Sequence, residues 1–300
     1  MSPTEPALRI ALLSERPDAY STRRLVEAAG QRGHQVTVLS TLACSKAKPP
    51  GTGMICAGQR VGPFDAVIPR IGAPIIAAGA AVLAMLEAEG GVGLNSAAAM
   101  LLAAHKARAI ESLVGAGLPM PRTLTVEEPE EIAATVAQLG GYPVVVKALA
   151  GSGGRGVSLV SSLEAAYRRV RDGPCLFQAF VAEAKGCDLR LFVIGDRVAA
   201  AMMRQAQRGE FRANLSLGAE ALAIAPKPDE IRLALAATRT LGLEVAGVDL
   251  VRSRHGPLLL EVNGSPGLQG IERVSGVGLA EHIIFQLEAK VSARLTNRAP

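Results

Sequence analysis

The chain of 300 residues is 49% hydrophobic and 20% charged, which excludes intrinsic disorder and leaves room for two or three packed units. Its formal charge of +5 and pI near 9.2 read first as a basic solvated surface, and are compatible with an anionic partner such as a ribosomal surface. The lack of Trp and the count of only three Tyr argue against a base-stacking platform for nucleic acid.

At the start of the chain, Pro3, Glu5 and Pro6 precede a short apolar run from Ile10 to Leu13. This is not the basic start and long apolar core of a signal peptide. RIALLS predicts a strand, a helix follows from about Tyr20 to Arg32 with Gly33 as its stop, and QVTVLS predicts a second strand. The opening is therefore βαβ. A Gly- and Pro-rich loop around Pro49 to Gly62 leads to a third strand in DAVIPRIG, a helix from about Ile75 to Glu89, and VGLN. The apolar stretch from Pro74 to Leu86, roughly a dozen residues, is too short to span a bilayer. The turn SERPDAYS after the first strand has no glycine to admit a pyrophosphate, so a nicotinamide site is not expected there.

A second unit opens with a helix that contains Lys106 and ends at Gly115 to Gly117, followed by TLTV, a helix from about Pro129 to Leu139, and the strand YPVVVKAL. After the loop AGSGGRG come VSLV, a helix near Leu163 to Arg171, and PCLFQAFV. Two antiparallel strands, DLRLFVIG and RVAAAMMRQ, are joined at Gly195 and Asp196. A helix from about Asp229 to Leu241 precedes a hairpin of VAGVDLVR and GPLLLEVN that turns through Ser253 to Gly256. A helix near Gly278 to Lys290 and a frayed tail close the chain.

Several residues carry chemistry. The segment Gly151, Ser152, Gly153, Gly154, Arg155, Gly156 lies between two strands, where backbone amides free of side-chain bulk can fold over phosphates. It lacks the Gly-Lys-Ser/Thr ending of a P-loop, and an ordinary hairpin loop has the same composition. Lys147 sits in the apolar strand VVVKAL, four residues before this loop, and can place a point charge on the same phosphates; a lysine snorkelling from an edge is the alternative. The most informative group is Asp249 on one hairpin strand with Glu261 and Asn263 on the other. Glu261 and Asn263 are two apart and share a face, and three oxygen-bearing side chains in otherwise apolar sequence suit magnesium. Arg204, Arg212 and Asn214 surround the loop QAQRGEFRANLSLG, where cations can clamp an anionic transition state or simply form a basic surface. Asp188 can accept hydrogen bonds from a ribose, cap its strand, or pair with Arg190. Cys44, Cys56, Cys175 and Cys187 show neither zinc spacing nor the density of a disulfide scaffold, which points to a reducing, cytoplasmic setting.

Taken in order, VVVKALAGSGGRGV, LFQAFV, GCDLRLFVIG, RGEFRANLSLGA and AGVDL…LLLEVNGSPGL resemble the successive motifs of the ATP-grasp superfamily. IPRIGAPI with EAKGCDLR and GEFRAN narrows the resemblance to the RimK-type α-L-glutamate ligases, from about Arg9 to about Leu287. The resemblance implies an α/β (α+β) ATP-grasp fold: a pre-ATP-grasp domain over residues 1–97, a central lid subdomain over 98–185, a metal- and ATP-binding subdomain over 186–290, and a flexible tail over 291–300. It further implies that Lys106, Lys147 and the glycine loop with Ser152, Gly153 and Gly154 hold the ATP phosphates. Gln178, Ala179, Phe180 and Val181 would meet the adenine, and Asp188 the ribose. Arg212, Ala213 and Asn214 would lie beside the transferred phosphoryl group with Arg204, and Asp249, Glu261 and Asn263 would bind two Mg2+ or Mn2+ ions. Two positions depart from the family pattern, Ala179 and His105, where an acid is common; a backbone contact to adenine would tolerate Ala179.

The activity so implied is ATP-dependent formation of an amide through an acyl phosphate, by positioning and charge neutralisation rather than by a protein nucleophile. Glutamate and the carboxyl end of a protein, such as ribosomal protein S-six, are the expected substrates. The alternatives are a ligase extending a small cofactor or an amino-group carrier, and a non-catalytic ribosome-binding module that holds ATP as a structural ligand. Neither sequence-specific nucleic-acid binding nor membrane attachment is expected, and family members often assemble as homo-oligomers. The glycine loop is expected to close as a lid over ATP.

Overall fold

The computed structural model describes residues 7–46, 53–149 and 156–296. In the first unit, β1 (Arg9–Leu13), α1 (Tyr20–Gln31) and β2 (Gln35–Leu39) form the expected βαβ opening. Gly33, at φ +83°, turns the chain from helix to strand in a conformation that other residues rarely adopt. The segment read as a long loop contains a small antiparallel meander of β3 (Cys44–Lys46), β4 (Met54–Cys56) and β5 (Gln59–Val61). Its strands are three residues long, too short for a period-two pattern to stand out among Gly and Pro. After β6 (Ala66–Pro69) come α2 (Ile76–Ala88) and the short β7 (Val92–Gly93). The order β2-β1-β6-β7 is a parallel sheet, covered on both faces, and so β1 and β6 read as continuous apolar runs.

The helix expected around Lys106 is two helices, α3 (Ala97–Ala104) and α4 (Lys106–Gly115), broken at His105. The His105 side chain caps α4 by accepting from the Arg108 amide at 3.3 Å, and its extended backbone prevents the two from fusing. Both helices contribute to the core of the last unit through Ala99, Ala109 and Leu113, so a boundary drawn at residue 97 falls within α3.

The middle unit consists of β8 (Thr123–Val126), α5 (Ile132–Gln138), β9 (Val144–Ala148), β10 (Val157–Val160), α6 (Leu163–Val170) and β11 (Cys175–Ala179). Its sheet is antiparallel, in the order β10-β9-β11-β8. Alternation divides β9: Val144 and Val146 enter the core with Ile132, Val136 and Phe177, while Val145 and Lys147 line a cavity on the other face.

The last unit is built on β12 (Cys187–Ile194), β13 (Arg197–Gln205), β14 (Glu220–Ala223), α7 (Pro228–Thr240), β15 (Val245–Ser253) and β16 (Gly256–Asn263), followed by α8 (Gln269–Ser275) and α9 (Leu279–Thr296). The sheet order is β14-β13-β12-β15-β16. One face packs Leu189, Leu191, Val248 and Leu250 against α7. The other packs Phe192, Ile194, Met202 and Val245 against α8, α9 and the first unit's Ile10, Leu12, Ala66 and Ile68. First and last units therefore share one core. The tail expected from residue 291 is helical to Thr296, and Val291 is buried; the helix continues because its apolar face still has the first unit to pack on.

Candidate active site

The polar end of that second sheet face carries the acidic cluster. Strand register sets Asp249 opposite Glu261 and Gly247 opposite Asn263, which puts both acids and the amide on one side. A register shift after Asp249 pairs Leu250 with Leu259, so the pairing that serves the core and the pairing that serves the site are adjusted independently. Gly247 is required here: a Cβ would come within 2.9 Å of Pro266 and 3.4 Å of Arg190.

The neighbouring strands bring cations to these acids. Register places Arg190 beside Asp249 and Arg204 beside Asp188. Arg190 donates from Nε and Nη2 to the two Asp249 oxygens, both at 2.7 Å. Arg204 donates to Asp188 at 2.6 and 2.7 Å and reaches Asp249 Oδ2 at 2.9 Å. Burial opposes the charge of Asp249, but the two guanidiniums outweigh it and hold its carboxyl at about 2. Asp188 is also desolvated, and burial pushes its carboxyl up to about 6 against the pull of Arg204. The pairing of Asp188 with Arg190 considered from sequence is thus replaced by one with Arg204. Arg190 is a member of the cluster that the sequence reading did not select; it lies two residues after Asp188 on a strand, a spacing that signals a shared face.

Across the cleft, Lys147 on β9 and Lys106 at the start of α4 approach Glu261. Burial lowers both ammonium pKa values, and the Glu261 charge raises them. Lys106 Nζ also donates to the Leu149 carbonyl at 2.9 Å. Among the described residues the Glu261 carboxylate is outside every hydrogen bond and ion pair, while Asn263 Oδ1 accepts from the Ser265 amide at 2.9 Å. Glu261 is the exposed member of the trio.

These groups line two adjoining cavities that share Lys106, Lys147, Leu260 and Glu261. The smaller, about 140 Å³, is bounded by Gln178 to Val181, Asp188, Arg204, Arg212 to Asn214 and Asp249. The larger, about 330 Å³, lies between the Ile71–Ala73 segment, α3, α4 and Asn263 to Ser265. Every described residue expected at the nucleotide site therefore borders one of the two. Gln178 is buried and its Nε2 donates to Thr123 Oγ1 at 2.8 Å. The Ala179 amide donates to the Arg122 carbonyl at 2.9 Å, which removes it as a hydrogen-bond donor to a base. Arg212 binds both Glu210 oxygens and holds that carboxyl down at about 2. Ser152, Gly153 and Gly154 lie outside the described residues.

Residues 8–100 match the RimK pre-ATP-grasp domain and residues 103–287 match the RimK-like ATP-grasp domain. The chain belongs to the RimK-type ATP-grasp family. It is 44% identical over 289 residues to a probable alpha-L-glutamate ligase 1 of Hahella chejuensis, covering 94% of this chain and 95% of that one. It is 43% identical over 290 residues to a probable alpha-L-glutamate ligase 2 of Shewanella frigidimarina, covering 94% and 96%. Among solved structures it resembles the ATP-grasp ligase PsnB complexed with a minimal precursor, with a TM-score of 0.72 at 25% identity, covering 93% of this chain and 99% of that one. As an ATP-grasp enzyme of this family it is an ADP-forming ligase that uses ATP and a divalent metal. The donor set fits such an ion in its chemistry, since Asp249, Glu261 and Asn263 each present ligand oxygens; those of Asp249 also accept from Arg190 and Arg204 and that of Asn263 from Ser265, while the Glu261 oxygens have no competing partner among the described residues.

Proposed function

We propose that this RimK-type ligase joins the amino group of glutamate to a carboxylate, in the first instance the carboxyl end of a protein such as ribosomal protein S-six. The observation that carries the reading is the opposition of Asp249, Glu261 and Asn263 to Lys106 and Lys147 around one cleft, where an anionic triphosphate would bridge metal and ammonium groups. Relatives named as glutamate ligases support the choice of amine, and a structural neighbour holding a precursor peptide supports a peptide acceptor.

A carboxylate is a poor electrophile because its leaving group is oxide. Phosphorylation by the γ-phosphoryl group of ATP converts it to an acyl phosphate, which the glutamate amine then attacks with loss of inorganic phosphate. Held by Asp249, Glu261 and Asn263, magnesium or manganese would neutralise charge on the phosphate oxygens. Lys106 and Lys147 supply positive charge from the opposite wall, and their partial burial strengthens it by reducing solvent screening. Asp188 would hold the ribose, and Arg204 orients Asp188 and Asp249 through its paired hydrogen bonds. Arg212 and Asn214 would stabilise the transferred group, with Ala213 buried between them. The size of the larger cavity, about 330 Å³, also favours a small acceptor as a second reading.

ADP release with ATP, magnesium and glutamate, measured with and without C-terminal peptides and small carboxylate acceptors, tests both. Acceptor-dependent release should fall at least a hundredfold in Asp249→Ala and Glu261→Ala, on the order of 3 kcal/mol of lost stabilisation. ATP binding without turnover on any acceptor would favour the binding-module reading.

A further inference from the structure

The charge in the larger cavity stands on one wall. Among the described residues its charged lining groups are Lys106, Lys147 and Glu261, and each of them lines the smaller cavity as well. The part that is not shared is uncharged. Asn263 and Ser265 carry its polar side chains, and the remaining lining is aliphatic side chains, methionine and glycine.

Three elements build this uncharged wall. On α4, Lys106, Ile110 and Leu113 follow one another at spacings of four and three, so the helix face that presents Lys106 also presents Ile110 and Leu113 to the cavity. From the first unit, Ile71 is buried and seated against α2, where a Cβ on Gly79 would come within 2.5 Å of its Cγ2. Met100 of α3 lies against the loop that follows Asn263, since a Cβ on Gly264 would stand 2.9 Å from its Sδ. The apolar surface therefore reaches the edge of the acidic cluster. Of this uncharged lining Gly72 and Ala73 are the exposed residues, which puts the cavity mouth at the first unit.

Two organic reactants besides ATP must be placed. Glutamate brings two carboxylates, and a carboxylate set against a surface without cation or donor loses its hydration for nothing in return. An apolar side chain gains from the same surface. The acceptor carboxylate has to meet the triphosphate beside Glu261 and Asn263, so the side chain on its neighbouring carbon is the group within reach of Met100 and Ile110.

We propose that the uncharged part of the larger cavity receives an aliphatic or thioether side chain on the acceptor residue whose carboxylate is phosphorylated. This rests on the ligase reading above and names its acceptor class: chains that end in an apolar residue. A consequence follows for the product. It ends in glutamate, whose side-chain carboxylate is unsuited to the same wall, so the enzyme adds one glutamate and stops.

The test uses peptides of one sequence that differ only in the last residue, Leu, Met, Ser, Lys or Glu, followed by ADP release and by the mass of the product. The Leu and Met forms should exceed the Lys and Glu forms about twentyfold or more in kcat/KM, and each product should carry a single added glutamate. Ile110→Arg, which puts a cation on the uncharged wall, should narrow that ratio to about twofold or reverse it, and should yield products with further additions, while KM for ATP stays within about twofold. Wild type that uses the Glu form as well as the Leu form, or builds a ladder of added residues, overturns the proposal. Calorimetric titration of the Leu and Glu forms into protein saturated with magnesium and a non-hydrolysable ATP analogue separates it from the ligase reading. Tighter binding of the Leu form without turnover of any peptide or small carboxylate overturns the ligase reading and leaves the pocket. Equal affinity for the two forms overturns the pocket whatever the turnover, and neither binding nor turnover of either form overturns both.

Discussion

Asn95 ties together segments that lie far apart in the chain. It is 1% exposed, and its side chain makes four hydrogen bonds to backbone groups besides one to Met100 Sδ. Its Nδ2 donates to the carbonyls of Val245 and Gly264 at 2.7 and 2.9 Å, and its Oδ1 accepts from the amides of Glu244 and Val245 at 2.7 and 2.9 Å. These bonds fix the start of β15 and the loop after Asn263, and so hold both ends of the β15–β16 hairpin to the first unit. Asn95→Ala leaves buried backbone groups unpaired and should lower unfolding free energy by about 3 kcal/mol in a urea titration. The polar residue in VGLN was visible in the sequence, but its partners, about 150 residues away, were not.

Secondary-structure elements decide where the two cleft-lining lysines stand. Lys147 is aimed by strand alternation alone, since Val144 and Val146 enter the middle core and force Lys147 to the other side. Lys106 depends on a helix start. His105 ends α3 and caps α4, with its Nδ1 accepting from the Arg108 amide, the role that an aspartate commonly fills. His105→Ala should cost about 1 kcal/mol in denaturant unfolding and raise KM for ATP, whereas His105→Asp should retain both stability and KM. The departure at His105 is therefore a substitution of one cap for another. Sequence periodicity joined α3 and α4 because no Gly or Pro stands between them; the extended backbone at His105 separates them.

At the scale of the whole molecule, α9 fastens the end of the described chain to the beginning. Glu288 accepts from Arg32 at 2.6 Å through both oxygens and pairs with His34 Nε2 at 2.7 Å. The Leu8 amide donates to His34 Nδ1, so Nε2 bears the proton and donates to Glu288. Burial opposes the Glu288 charge, but Arg32 and His34 hold its carboxyl below the ordinary value of 4.5. A carboxyl with a depressed native pKa stabilises fully above its unfolded value and loses that contribution as pH falls through the native one. Acid unfolding of wild type should therefore include a component below about 4.5 that is absent in Glu288→Gln, and the two stability curves should converge at the lowest pH. No helix among the described residues is long and apolar enough to cross a membrane.

The sequence by itself determined the family and most of the order of strands and helices, and it singled out Asp249, Glu261 and Asn263 as candidate metal ligands, because each rests on local information: periodicity, a hairpin turn, or acids placed where apolar side chains belong; the short β3, β4, β5, β14 and α8 escaped it. Tertiary structure decided which charges meet. Asp188 with Arg204 and Asp249 with Arg190 follow from the registers of β12 with β13 and β15, and a shift of one residue would reverse the faces. It also decided that residues 291–296 remain helical, since only packing on the first unit gives Val291 an apolar surface to cover.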